Sequence, residues 1–167
     1  QGDRLVVILG GVSNDVVAAE AVVGLFGEGP VVVGPVSADL AAAHVSARAA
    51  LAGLRAAIGW PGAPRPVASD ELLAERALAG DGHARRHLVD ALYSPLLTSG
   101  ETLVETLTAY YQEGTSIEGT ARALFVHPNT VRYRLRQAAE VTGLNPTDAR
   151  HGFTYRIALV LGRQSAR

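Results

Sequence analysis

SIEGTARALFVHPNTVRYRLRQAAEVTGL, Ser116 to Leu144, decides how this chain folds. It predicts two short helices joined by a tight turn. In the second, Pro128 suits the first helical position, where its fixed φ helps and its missing N–H is no loss. His127 is then the N-cap, although it is not a favoured cap type. At about 100° per residue, Val131, Leu135 and Ala138 share one face and should point into a core. Asn129, Tyr133 and Arg136 fall opposite, with Arg132 on their flank, and Thr130 and Arg134 nearer the core border. Three arginines and no acid lie between His127 and Gln137. In the first helix Ser116 supplies a cap and Glu118 an acid near the positive dipole end. Ile117, Ala121 and Leu124 recur at helical spacing, and Ala121 is the small residue that two crossing helices need. Phe125-Val126 makes an apolar turn. Turns of this kind often carry Gly where Phe125 sits, so this one should depart from the commonest geometry or find an unstrained conformation without Gly.

An amide, a phenol and guanidinium forks on one face are the groups that read base edges in the major groove of DNA. Asn129, Arg132, Tyr133 and Arg136 are therefore the expected base-reading residues of a helix-turn-helix. Ser116, Arg122, Thr130 and Arg134 are the expected phosphate contacts, which position rather than specify. The competing explanation is a basic amphipathic helix merely solvated on its polar side. It accounts for the face but not for its conjunction with a small-residue crossing point, a turn and a Pro start.

TARALFVHPNTVRYRLRQAAEVTG resembles the C-terminal helix-turn-helix of PucR/CdaR-type bacterial transcriptional regulators. The similarity continues upstream through LVDALYSPLLTSGETLVETLTAYYQEGTSIEGTA and downstream into FTYRIALVLGR, across roughly residues 70 to 163. HPNTVRYRL is the specific part. Family members often have Arg where Pro128 stands, so one cation is missing here. The whole chain looks most like the members that activate fatty-acid biosynthesis genes in high-GC bacteria. The resemblance implies a homodimer on double-stranded promoter DNA, with an acyl-CoA-like or other small-molecule effector. Ahead of the DNA-binding domain such regulators often carry a degenerate GGDEF-like, cyclase-related domain, and residues 4 to 68 look like a fragment of one. They contain no GGDEF-type signature and no paired metal-binding acids, which implies a sensory or dimerising module and not a cyclase.

Composition agrees with a globular chain. Its 167 residues, 48% apolar, can bury one core or two small ones, and the absence of cysteine rules out disulfides and thiolate metal sites. All fifteen cations are arginines, which with abundant Ala points to a GC-rich genome. Residues 1–100 hold seven Arg against ten acids, a net −3, and residues 101–167 eight Arg against six acids, a net +2. That bias is mild, so useful affinity for DNA at cellular salt calls for a dimer or larger assembly. No run is long enough to cross a bilayer and no signal segment opens the chain, so a cytoplasmic location is expected. With no Met and an opening Gln1-Gly2-Asp3, a fragment of a longer protein is expected.

Toward the N-terminus, Arg4 to Leu9 (RLVVIL) predicts a buried strand and Asp15 to Phe26 a helix capped by Asn14 or Ser13. Val31 to Val36 predicts a second strand, and Asp39 caps a long Ala-rich helix to about Ile58. The resulting βαβα order puts two strands side by side. Gly10-Gly11 is read as a turn: there is no GxGxxG and no lysine to make it a phosphate loop. Trp60 to Pro66 is a Pro-rich connector whose Trp packs against the end of the long helix, and Pro66 to Ser69 an edge strand. A helix from Ser69 or Asp70 runs through Ala79, and another from Asp81 or Gly82 to Leu92 is ended by Tyr93-Ser94-Pro95. His83, Arg85, Arg86 and His87 make a solvated basic face, and no third ligand accompanies the two histidines for a metal. The next helix, Gly100 to Gln112, buries Leu103, Leu107 and Tyr110/Tyr111 and leaves Thr102 and Thr106 as surface or cap groups. Gly143 caps the reading helix, and Asn145 to Asp148 starts a last helix locked by Phe153, Ile157, Leu159, Val160 and Leu161.

The expected fold is therefore α+β, mostly α: a small degenerate GGDEF-like βαβα region followed by a four-helix, Fis-like helix-turn-helix domain. The expected division is 1–68 sensory or dimerising, 69–100 helical connector and 101–167 DNA-binding. No cofactor, metal or membrane partner is expected. A module that uses its helix-turn-helix only for assembly is the second hypothesis. An enzyme ranks last, for want of a nucleophile–base pair or carboxylate dyad.

Overall fold

The computed structural model describes residues 4–165. The fold is α+β and mostly α, with two compact units, Gln1–Ala79 and Gly80–Arg167. The connector expected between the domains is thus divided at Ala79/Gly80.

The first unit holds α1 (Asp15–Glu20), β1 (Val32–Val33), α2 (Ala43–Ala56), β2 (Val67–Ala68) and α3 (Leu73–Leu78). β1 and β2 pair in parallel, Val32 opposite Val67 and Val33 opposite Ala68. Behind them Ala57, Val67 and Leu72 form a small core, joined by Val32, Trp60 and Ala63. α2 approaches β1 closely because Gly53 stands at the contact; a Cβ there would come within 2.8 Å of Val32 Cγ1. Arg65 anchors the loop before β1, donating to the carbonyls of Gly29 (2.8 Å), Gly27 (2.5 Å) and Phe26 (3.2 Å).

Three expectations for this unit are corrected. Residues 4–9 form no strand, and Leu5, Val6, Val7 and Ile8 are exposed. Apolar β-branched composition sets a preference, but a strand needs a neighbouring ladder, and β1 pairs with β2 instead. β1 keeps two residues because Gly34-Pro35 follows, and proline has no N–H to donate. The helix predicted to Phe26 ends at Glu20, where a 3₁₀ turn over Val23–Leu25 takes over around Gly24. Asn14 is its cap, accepting from Val17 N at 2.9 Å.

The second unit comprises α4 (Gly82–Leu88), α5 (Ser94–Ser99), α6 (Glu101–Gln112), α7 (Ile117–Ala123), α8 (Pro128–Thr142) and α9 (Ala149–Ser165). The predicted stop at Tyr93-Ser94-Pro95 does not occur. One π turn over Val89–Tyr93 joins α4 to α5, with Ser94 N–H donating to Val89 O. Widening the helix there makes room for Pro95 in the first turn of α5. Asp81 caps α4 through His83 N (2.9 Å) and Ala84 N (3.3 Å), and His83, Arg85, Arg86 and His87 lie on its exposed side.

α6 through α9 form the four-helix arrangement that the sequence predicts, with α4 and α5 packed on it. The buried face of α9 differs from the expected one. Tyr155, Ala158 and Leu159 are buried with Gly152 and Gly162, whereas Val160 is half exposed and Phe153 and Leu161 only partly covered. Two glycines let the helix come close to aromatic rings: Gly162 lies flat against Tyr93, and Gly152 sits by Tyr111. Alternating apolar residues could not reveal that contact, because glycine carries no hydropathy signal.

Candidate nucleic-acid interface

α7 is set by its cap: the Ser116 side chain accepts from Gly119 N at 3.0 Å. Ala121 is 3% exposed, as the crossing of α7 and α8 requires. After α7 the chain reverses through Leu124, Phe125 and Val126, with Val126 N–H donating to Ala121 O at 3.0 Å. Phe125 has φ +54°, the left-handed conformation that glycine adopts freely. The expectation of a turn that avoids this conformation is therefore overturned. Its ring is 97% exposed.

His127 is the N-cap of α8, its Nδ1 accepting from Asn129 N at 3.2 Å, and Pro128 occupies the first turn. Val131, Leu135 and Ala138 are at most 4% exposed. Gly143, at φ +73°, ends the helix and donates to Ala139 O at 2.8 Å. Tyr155 of α9 fixes that end. Its hydroxyl donates to Leu144 O (2.8 Å) and lies against the Thr142 hydroxyl and Ala138 O (3.3 Å). Burial pushes its pKa up to about 12.

With that face buried, Asn129, Arg132, Tyr133 and Arg136 stand on the outside, Tyr133 59% exposed. Asn129 Oδ1 accepts from Arg132 Nη1 at 2.9 Å, and Arg132 Nη2 reaches Glu118 Oε1 at 3.4 Å. Beside them Ile117, Leu135 and Ala139 floor a shallow open groove, with Arg132, Arg136, Asn145 and Thr147 along its rim.

The four phosphate candidates divide. Arg122 is exposed near the end of α7, and Thr130 is partly exposed in the first turn of α8. The Ser116 hydroxyl is engaged as a cap. Arg134 points across to α6, where it donates to Thr106 Oγ1 at 3.2 Å. Thr106 is no surface group: it is 1% exposed and donates to Thr102 O at 2.6 Å. Sequence pattern missed this link, since a threonine in an amphipathic helix gives no sign of its partner. It also missed Glu118 as the partner of Arg132.

Two helices crossing at a small residue, with a polar and cationic second helix turned outward, define a helix-turn-helix. Residues 103–161 match the family described as the PucR C-terminal helix-turn-helix domain. An uncharacterized protein of Mycobacterium tuberculosis H37Rv is 50% identical over 138 residues, covering 83% of this chain and 33% of its own length. The purine catabolism regulatory protein of Bacillus subtilis is 36% identical over 63 residues, 38% of this chain and 12% of that protein. Among solved structures, a regulator of polyketide synthase expression from Bifidobacterium adolescentis superposes with a TM-score of 0.82 at 39% identity. The match covers 96% of this chain and 64% of that one. The chain thus spans about a third of the mycobacterial relative.

Proposed function

We propose that this chain is the DNA-reading part of a bacterial transcriptional regulator. α8 enters the major groove; Asn129, Arg132, Tyr133 and Arg136 meet base edges; Arg122 and Thr130 hold phosphates. One observation carries the proposal: Val131, Leu135 and Ala138 are buried while that polar, cationic face is free in solvent. Ser116 and Arg134 contribute by holding α7 and α8 in place. The net +2 of residues 101–167 is small for an autonomous binder, which favours a homodimer on a two-fold site. In this proposal the protein is cytoplasmic and residues 1–68 sense or dimerise, joined to the DNA-binding residues 101–167 through 69–100. Its targets are metabolic genes, fatty-acid biosynthesis first, with an acyl-CoA-like effector. Support for the gene class comes from the similar regulators of polyketide synthase expression and of purine catabolism.

A fluorescence-anisotropy titration against pooled promoter fragments at two salt concentrations tests this. Binding should weaken steeply as salt rises, because neutralised phosphates release counterions. Salt-insensitive self-association with no DNA binding would favour the assembly module instead.

A further inference from the structure

Phe125 combines two features that the fold does not explain. Its ring is 97% exposed. Its backbone also holds φ +54°, which is disfavoured for any residue with a Cβ and free for glycine. Glycine would serve the turn better on both counts, so the side chain answers to something outside the unit.

The surroundings indicate what. Phe125 lies in the turn that delivers the N-terminal end of α8, the end that contacts base edges in proteins of this architecture. The exposed residues near it in the chain are Arg122, Ala123, His127 and Asn129, while Leu124 and Val126 are half-buried. A protein partner needs an apolar centre within about 800 Å² of surface on each side. One ring and one alanine methyl among a cation, an imidazole and an amide fall far short of such a patch. A polyanion that also offers isolated methyl groups fits it, and the thymine C5 methyl in the major groove is that group.

We propose that Phe125 is a specificity-determining residue of the interface, its ring packing on a thymine methyl beside the base pair met by Asn129. This rests on the DNA-reading function proposed above.

The test uses the full chain and a duplex that it selects from a randomised pool. Each dT in that duplex is replaced in turn by dU, which removes only the methyl. The wild-type chain should lose affinity about four-fold at one position, the worth of one buried methyl-sized group. Phe125→Ala and Phe125→Gly should bind more weakly and no longer distinguish dT from dU there. Phe125→Gly should also melt at a higher temperature than the wild type, which keeps misfolding from mimicking the result. Unchanged affinity and an unchanged dT-to-dU profile in both variants would overturn the proposal while leaving DNA reading intact. So would a loss of self-association, followed by sedimentation, with the profile unaltered. A chain that selects no duplex at all would remove the DNA-reading function, and this inference with it.

Discussion

Arg132 donates to the Asn129 side-chain oxygen at 2.9 Å across one turn of α8, so two of the proposed base-reading groups are already coupled. Each orients the other, and their contributions to binding should not add. Arg132→Ala and Arg136→Ala should each weaken DNA binding by about 1–3 kcal/mol. The Asn129→Ala/Arg132→Ala double variant should lose less than the sum of its singles. An anisotropy-based double-mutant cycle measures this; strict additivity would mean that the two groups act apart.

In the proposed interface Glu118 would compete with DNA for Arg132. The ion pair is 3.4 Å long between half-exposed side chains, so it adds little to stability. Glu118→Gln should leave the melting temperature nearly unchanged and tighten DNA binding, since it removes an acid facing a polyanion. A variant that binds no better would show the pair to be broken before docking.

Arg134 belongs to the packing of α8 on α6. Arg134→Ala should cost about 0.5–1.5 kcal/mol of stability, because it removes the donor to the buried Thr106 hydroxyl, which keeps its own bond to Thr102 O. Its effect on DNA affinity should be smaller than that of Arg136→Ala. An equal loss of affinity at unchanged stability would restore Arg134 to the phosphate backbone.

Tyr155 makes stability depend on pH at the alkaline end. Its folded pKa, raised to about 12 by burial, exceeds the unfolded value of about 10. The folded state therefore holds the phenolic proton more tightly, and this contribution is complete below pH about 10 and lost by about 12. Tyr111 is raised in the same direction, chiefly by burial. Tyr155→Phe should lower stability at neutral pH by about 1–3 kcal/mol and flatten the decline between pH 10 and 12, as followed by denaturant titration.

Gly162 lies where a side chain would run into the Tyr93 ring. Gly162→Ala should destabilise the second unit by about 1–3 kcal/mol despite alanine's better helix propensity. A rise in melting temperature would mean that the ring simply moves away.

What the sequence revealed depended on how local the signal was. α8 was legible because Pro128, the spacing of Val131, Leu135 and Ala138, and Gly143 all lie within one helix and agree. Residues 4–9 were misread because strand formation depends on a partner that composition cannot name. The Phe125 turn was half legible: the missing glycine is visible in the sequence, but not whether the backbone would yield. Thr106 and Arg134 lie on different helices, and nothing in either segment marks the bond between them. The contact of Gly162 with Tyr93 joins residues far apart in the chain through a group that has no side chain.

The π turn over Val89–Tyr93 has a bearing on chain length. Leu88, Leu92 and Leu96 are all buried, yet at about 100° per residue they would drift some 80° around a regular α-helix. The wider turn absorbs that drift and keeps the three leucines in phase. Deleting one residue there would swing everything beyond it out of alignment, whereas substituting an exposed one would not. In this segment, spacing is held more tightly than residue identity.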